Sequence, residues 1–489
     1  MSLQSTTRPR PAPLEARAKT RVSKQKPDYR LLTGHASNGA TKIPTNIVIK
    51  FGGTSVATKE AVHAIVAIVK RYRKSRPVVV VSALRGVTEG LLALSKCPKA
   101  QLSGRISGLR NIHGKLAADI FSRDIDVAEV MEYVDLQLAS TEKVARKGRF
   151  NPEAMDKLVS AGEIMSSFII ARTLEIHGIS SRQIVSTEII VTDDNFMQAE
   201  FQPKETERNA RKILAPLIRR NIVPVVTGFL GSTKNGRTTT LGRGGSDYSA
   251  SIIGRSLDAK EIQIWTDVDG IFTADPRVVK NARIIENISY REASEMAAFG
   301  AKVLHPRTIR PAVEKNIPVR VLNTFNLKAP GTLVSPRRAG TGLKAIAFKK
   351  SVALVNVYSD SMLFSRGFLA RMFEVFARHQ ISIDLVSVSE VSVSVTLDNN
   401  NGHLDAAVKE LGTFSKVGVH KDSFGMISLI GEGIVSTRDI MKDVSARFSE
   451  HKIPLRMISM GASDINISLV IPANDVVRAA NMVHDEFLK

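Results

Sequence analysis

The stretch Ile47-Val48-Ile49-Lys50-Phe51-Gly52-Gly53-Thr54-Ser55-Val56 constrains this chain more than any other, because it joins a buried-strand pattern to a turn able to hold phosphate. An apolar run ends at a lysine, two glycines and two hydroxyls follow, and a helical pattern then extends from Lys59 to Arg73. Adjacent glycines let the backbone fold back so that its N–H groups share one concavity, and a following helix adds the positive end of its dipole. Lys50 supplies a mobile point charge suited to phosphate oxygens. It reads as a solvent-edge lysine whose removal spares the fold. The plain alternative is an ordinary strand-to-helix turn, but the Lys-Phe-Gly-Gly-Thr-Ser string is far rarer than Gly-Gly alone. Its spacing fits neither a P-loop nor a dinucleotide fingerprint.

From Ile47 onward short apolar runs alternate with helical stretches. Pro77-Val78-Val79-Val80-Val81-Ser82 and Ile222-Val223-Pro224-Val225-Val226-Thr227 read as strands buried on both faces, with Pro152 to Ile176 read as helix between them. This pattern predicts an α/β fold with a mostly parallel sheet, and ligands in such sheets sit at the carboxyl ends of the strands. Three later stretches place polar groups there. Gly228-Phe229-Leu230-Gly231 leads to Thr238-Thr239-Thr240-Leu241-Gly242-Arg243-Gly244-Gly245-Ser246-Asp247, a second glycine turn opening a helix, with a guanidinium for a carboxylate and an aspartate that can orient a lysine or a metal. Ile264-Trp265-Thr266-Asp267-Val268-Asp269-Gly270-Ile271-Phe272, followed by Asp275-Pro276-Arg277, ends a strand in an acidic turn that lacks the spacing of a calcium loop. Phe299-Gly300-Ala301-Lys302 precedes His305-Pro306, and that histidine reads as structural.

The length of 489 residues and an apolar content of 43% allow two to four domains with well-formed cores. No run of about 18 apolar residues occurs and the N-terminus lacks an apolar signal centre, so neither a membrane span nor export is expected. Cys97, the one cysteine, suits a reducing compartment. The net charge of +22 raises a nucleic-acid reading. Residues 1–46 hold nine Lys or Arg against Glu15 and Asp28, leaving about +15 elsewhere, with no basic stripe interleaved by aromatics. Nucleic acid is therefore not expected as a partner. Residues 1–46 are expected to be a disordered basic arm and the protein cytoplasmic, the alternative being an organelle-targeting peptide.

Taken together, Lys50-Phe-Gly-Gly-Thr-Ser55, Ser160-Ala-Gly-Glu163, Thr238 to Asp247, Trp265-Thr-Asp267 and Phe299-Gly-Ala-Lys302 resemble the aspartate kinases of the amino-acid kinase family, from about Ile47 to the C-terminus. The resemblance is to the lysine-sensitive, monofunctional branch. It implies a three-layer αβα sandwich with a mostly parallel sheet over residues 47–335. It also implies phosphorylation of the β-carboxylate of L-aspartate by ATP with Mg2+, the first step toward lysine, threonine and methionine. No dedicated metal site is expected, because phosphates and water hold most of the magnesium shell. By the family pattern Lys50 stabilises the transferring phosphoryl, with the backbone of Gly52 and Gly53 and the hydroxyls of Thr54 and Ser55 around it, and Asp247 holds Lys50. Arg243 grips the substrate α-carboxylate, Glu163 meets its ammonium, and Thr88, Phe229 and Ser246 complete the pocket. Thr266, Asp267, Phe272, Arg277 and Lys302 match positions lining the nucleotide, Phe272 replacing a common tyrosine.

Beyond the basic linker Pro336-Arg337-Arg338 the pattern shortens and repeats. His379-Gln-Ile-Ser-Ile-Asp-Leu-Val-Ser387 parallels His451-Lys-Ile-Pro-Leu-Arg-Met-Ile-Ser459, 72 residues later, each copy preceded by a helix and followed by an alternating strand. The pair resembles two ferredoxin-like ACT domains, over 343–418 and 424–489, with strand 343–350 as a candidate contribution to the second. This implies regulation by an amino acid, lysine by the pattern, and a homodimer or larger assembly such as a tetramer. The effector loop corresponds to Met362, Ser365, Phe368 and Leu369, facing Ser382, Ile383, Asp384, Ser389 and Glu390, with Val388 where the pattern carries threonine. On residue chemistry alone, Phe368 and its neighbours equally fit a helix core face. A kinase for another small acid and a non-catalytic amino-acid sensor stand as alternative functions.

Overall fold

The computed structural model describes residues 46–300, 304–337, 340–363, 366–398, 402–461 and 463–488. The expected N-terminal arm, Lys302 and Ser365 lie outside these residues. An eight-stranded sheet runs from edge to edge as Ser181–Ile184, Val223–Thr227, Pro77–Val81, Ile47–Phe51, Glu261–Thr266, Val319–Asn323, Thr332–Ser335 and Asn287–Ser289. All described pairings are parallel except that of Val319–Asn323 with Thr332–Ser335. The central strands are rich in valine and isoleucine and buried on both faces, because helices cover each side. Two cores result. One lies under Lys59–Arg71 and Ala161–Ile176, and the other under Pro203–Arg219, Gly245–Ser256 and Pro306–Glu314.

The segment read as one helix from Pro152 to Ile176 divides into Pro152–Val159 and Ala161–Ile176. Ser160 turns its hydroxyl back onto the Lys157 carbonyl at the join. Gly162 then packs so closely that a Cβ would stand 2.8 Å from Ala83 Cβ, which brings this helix start against the end of Pro77–Val81. His305 caps Pro306–Glu314, its Nδ1 accepting from the Arg307 N–H. Cys97 is a free thiol, half-buried.

The C-terminal part is a six-stranded antiparallel sheet in the order Leu385–Val388, Ser392–Leu397, Ala345–Tyr358, Lys416–Ile430, Asn466–Pro472, Met457–Met460. Its two long strands each serve both halves. Val352–Tyr358 pairs with Lys416–Phe424, whereas Ala345–Lys349 pairs with Met426–Ile430, with register shifts between the two segments. Ala345–Lys349 is thus the fourth strand of the second βαββαβ unit, although it precedes the first unit in sequence.

The second unit is seated on the large-sheet part of the chain. The Ile346 N–H donates to the Thr273 carbonyl at 2.7 Å, and Thr273 Oγ1 lies 2.9 Å from His484 Nε2. Glu292, fully buried in the capping box of Tyr290–Ala298, accepts from the Ser289 and Glu432 N–H groups and from Lys344 Nζ. No helix among the described residues is long and apolar enough to cross a membrane.

Candidate active site

Four strands of the large sheet end on one cleft of about 820 Å³. Ile47–Phe51 delivers Gly52, Gly53 and Thr54. Pro77–Val81 delivers Ser82 to Gly86, Val223–Thr227 delivers Phe229, and Glu261–Thr266 delivers Thr266 and Asp267. Helix Gly245–Ser256 points its N-terminus into the same space, with Arg243, Ser246 and Asp247 around it. Thr88 and Glu163 close the far side.

The glycines of the two turns are required by contact. A Cβ on Gly53 would stand 2.9 Å from the Ala83 carbonyl oxygen, and one on Gly245 would stand 2.5 Å from the Phe229 ring. Phe229 itself has a φ of 68°, a left-handed conformation costing about 1 kcal/mol or more in a non-glycine residue. It is held there because its N–H donates to Ser249 Oγ and its carbonyl accepts from the Leu241 N–H. Gly242 and Gly244 take φ of 75° and 70° and turn the chain sharply on either side of Arg243.

Lys50 is buried, 8% exposed, and its ammonium lies 2.5 Å from Asp247 Oδ1. The expectation of a solvent-edge lysine is therefore corrected. The strand that carries it is covered on both faces, so only the ammonium reaches the cleft, and removing it strands a carboxylate. Arg243 is exposed on the cleft wall and makes no ion pair with a described residue. Glu163 is the converse, 4% exposed, with Oε2 lacking a hydrogen-bond partner among the described residues. Burial pushes its carboxyl up to about 8, against the pull of the Ala83 N–H.

Of the residues expected at the site, Lys50, Gly52, Gly53, Thr54, Thr88, Glu163, Phe229, Arg243, Ser246, Asp247, Thr266 and Asp267 line this cleft. The Gly52 N–H is spent on the Trp265 carbonyl, so its amide does not face a ligand. Ser55 is fully buried and bonds Thr324 Oγ1 at 2.7 Å, because the turn after Gly53 points its hydroxyl into the core rather than the cleft. Phe272 bridges Ile284, and Arg277 is an exposed residue bound to Asp275 at 2.7 Å. Neither lines the cleft.

Two contributors escaped the sequence reading. The turn Ser82 to Arg85 brings a third cation, Arg85, to the cleft. Asp156, fully buried on Pro152–Val159, accepts from the Met197 N–H, the Thr240 N–H at 3.0 Å and Thr240 Oγ1 at 2.5 Å. It thereby ties together two walls of the pocket, Met197 and the turn that runs on to Arg243. Burial holds its carboxyl above the ordinary range while those donors pull it back.

At the expected effector site Leu369, Ser382, Ser389 and Glu390 are exposed, and Met362 and Ile383 are half-buried. Phe368 is not available to a ligand. It is buried in the core of the first small unit and meets the Phe414 ring edge-on at 5.8 Å. Asp384 is joined to Lys349 Nζ at 2.8 Å.

A parallel sheet ending on two glycine turns, joined to a paired βαββαβ sheet, is the architecture of the amino acid kinase family with ACT domains. The profile of that family matches residues 46–323, and an ACT domain profile matches 355–413 and 427–487. Chloroplastic aspartokinase 3 of Arabidopsis thaliana is 36% identical over 90% of this chain and 81% of its own length. Lysine-sensitive aspartokinase 3 of Escherichia coli is 35% identical over 91% of this chain and 99% of its own. The chain belongs to the aspartokinases. Crystal structures of E. coli aspartokinase III, one with aspartate and ADP and one with lysine and aspartate, are each 34% identical to it. Their TM-scores are 0.78 and 0.79, and each comparison covers 91% of this chain and all of the other.

Proposed function

We propose that the cleft transfers the γ-phosphoryl group of ATP to the β-carboxylate of L-aspartate, giving 4-phospho-L-aspartate, and that the small sheet subjects this reaction to feedback by an amino acid, lysine by preference. The observation that carries the reading is the meeting, in one cleft, of a buried lysine–aspartate pair, a guanidinium and a buried carboxyl oxygen, the last two without a partner among the described residues. An α-amino acid supplies the complements of the last two groups. Its carboxylate suits Arg243 and its ammonium suits Glu163 Oε2, which leaves the side chain directed toward Lys50. The aspartate and ADP bound by the E. coli relative support the same assignment.

A carboxylate is already a competent nucleophile, so no general base is required and the rate comes from alignment and charge neutralisation. Lys50, held by Asp247, neutralises charge building on the transferring phosphoryl. The Gly53 backbone, Thr54 and the N-terminus of Gly245–Ser256 supply further donors and dipole. Thr88, Phe229 and Ser246 shape the acceptor pocket, and Thr266 and Asp267 take the nucleotide side. Phe272, Arg277 and Lys302 are left as outer nucleotide positions by family pattern alone. Magnesium enters with the nucleotide. Asp267, exposed on the cleft and free of any ion pair with a described residue, is a carboxylate that would share it.

The effector is placed on Met362, Leu369, Ser382, Ile383, Asp384, Ser389 and Glu390, with Ser365 by family pattern. The lysine bound by the E. coli relative supports its identity. The edge strand Leu385–Val388 exposes Val386 and Val388, and an uncovered apolar edge favours pairing with a second copy. A homodimer is the assembly proposed, in the cytoplasm, with the product consumed toward lysine, threonine and methionine. An ADP-release assay with MgATP and aspartate, glutamate or no acceptor tests the reaction, together with hydroxylamine trapping of the acyl phosphate. Release with aspartate alone supports it, while equal release with glutamate or no trapped product removes it.

A further inference from the structure

Lys349 is paired with Asp384, a residue of the proposed effector site. Its Nζ lies 2.8 Å from Asp384 Oδ2 and 2.8 Å from Asp398 Oδ1, and the side chains of Lys349 and Asp384 are each only 16% exposed. Burial opposes the charge on Lys349, yet the two carboxylates hold its ammonium above the ordinary lysine range. Burial likewise holds the Asp384 carboxyl up while Lys349 pulls it down.

The three residues come from different halves of the small sheet. Asp384 and Asp398 flank the strands Leu385–Val388 and Ser392–Leu397 of the first unit. Lys349 ends the segment Ala345–Lys349 that completes the second unit, at the point where the register of the long strand shifts. The same segment backs the large-sheet part. A Cβ on Gly300 would stand 2.8 Å from the Phe348 carbonyl and 3.8 Å from Lys349 Cγ. The clamp therefore spans the proposed effector site and the Phe299-Gly300 turn that leads to Lys302.

On the reading that Asp384 belongs to the effector site, we propose that Lys349 is a tethered stand-in for the effector's ammonium, which an amino acid with a cationic side chain must displace from Asp384 in order to bind. Two carboxylates facing one lysine leave a net negative pocket once that lysine withdraws. A diamino acid matches it in charge and in N–H donor geometry, whereas the side chain of threonine or methionine brings no positive charge. Displacement frees the end of Ala345–Lys349 and so reaches the turn it backs.

Isothermal titration of lysine into the full-length protein tests this. Lys349→Met removes the internal competitor and is expected to tighten lysine binding by about tenfold or more, equivalent to roughly 1.4 kcal/mol. Lys349→Arg, which keeps a cation on Asp384 and fills the same space, is expected to stay within a few-fold of the parent. Threonine and methionine are expected to gain nothing from Lys349→Met. Unchanged or weaker lysine binding in Lys349→Met overturns the proposal. In that case loss of binding in Asp384→Asn leaves the effector site standing without a competitor. Absence of lysine binding in both the parent and Lys349→Met overturns the proposal and the effector site together.

Discussion

Replacing Glu163 by glutamine separates the physical account of the cleft from the family likeness. The carboxyl is buried with one oxygen unpartnered, and its pKa stands at about 8 against an ordinary 4.5. Each pKa unit corresponds to about 1.4 kcal/mol, so ionising the group in place costs the unliganded protein roughly 5 kcal/mol. The folded value is raised, so the folded state binds the proton more tightly than the unfolded chain. This contribution to stability is complete below pH 4.5, declines as the pH rises from 4.5 to 8, and is flat above.

Glutamine is the neutral isostere of the protonated acid and has no such slope. Urea unfolding at pH 5, 7 and 9 is then expected to show the two proteins alike at pH 5. At pH 9 the variant should be the more stable, by up to roughly 5 kcal/mol. Saturating aspartate should remove most of this difference, because its ammonium stabilises the ionised form of the wild type alone. The variant should also lose aspartate affinity while keeping that for ATP. Parallel stability curves from pH 5 to pH 9 would refute the burial argument, and unchanged aspartate affinity would refute the ammonium contact.

Lys50→Ala is expected to lower kcat by about 100-fold or more and also to destabilise the fold, because it leaves Asp247 facing an emptied cavity; turnover near that of the parent would remove Lys50 from the mechanism. Asp156→Asn should raise KM for aspartate more than KM for ATP, since it loosens Met197 and the Thr240 turn that carries on to Arg243, and equal effects on both constants in steady-state assays would reduce Asp156 to a purely structural role. Gly228→Ala places a methyl 2.6 Å from Ser246 Cβ and 2.9 Å from the Val81 carbonyl; a loss of about 1–3 kcal/mol in thermal or urea unfolding is expected, together with weaker aspartate binding, and a neutral substitution would show that the turn yields easily.

Residues carrying an unusual local pattern are legible in the sequence. Lys50 with its glycines, and Arg243 with Gly244, Gly245 and Asp247, are strings whose backbone demands and charges point to one chemistry, and they converge on the cleft. What escaped notice lacks such a pattern. Ser82 to Arg85 looks like the end of any strand, and only the fold brings it over Gly53. Asp156 is one carboxylate on an amphipathic helix, a position that reads as solvated until Thr240 and Met197, far off in sequence, are seen to enclose it. The direction of a hydroxyl is equally hidden, so Ser55 and Thr54 read alike in the sequence although Ser55 faces the core. Phe368 shows the reverse ambiguity, since a helix face rich in aromatics fits a core and a ligand site alike and Phe414 decides it. Lys349 carried no signal, because its partners lie 35 and 49 residues away.

The borrowed strand Ala345–Lys349 limits how this protein can be dissected. A fragment beginning at residue 351 would contain both copies of the internal repeat, yet Met426–Ile430 would be left with bare backbone donors and acceptors along one side. Such a fragment should clump, and one begun at residue 343 should not. The same wiring sets an order of pairing during synthesis. Ala345–Lys349 emerges from the ribosome some eighty residues ahead of its mate, so its backbone groups on that side wait unpaired until Met426–Ile430 follow.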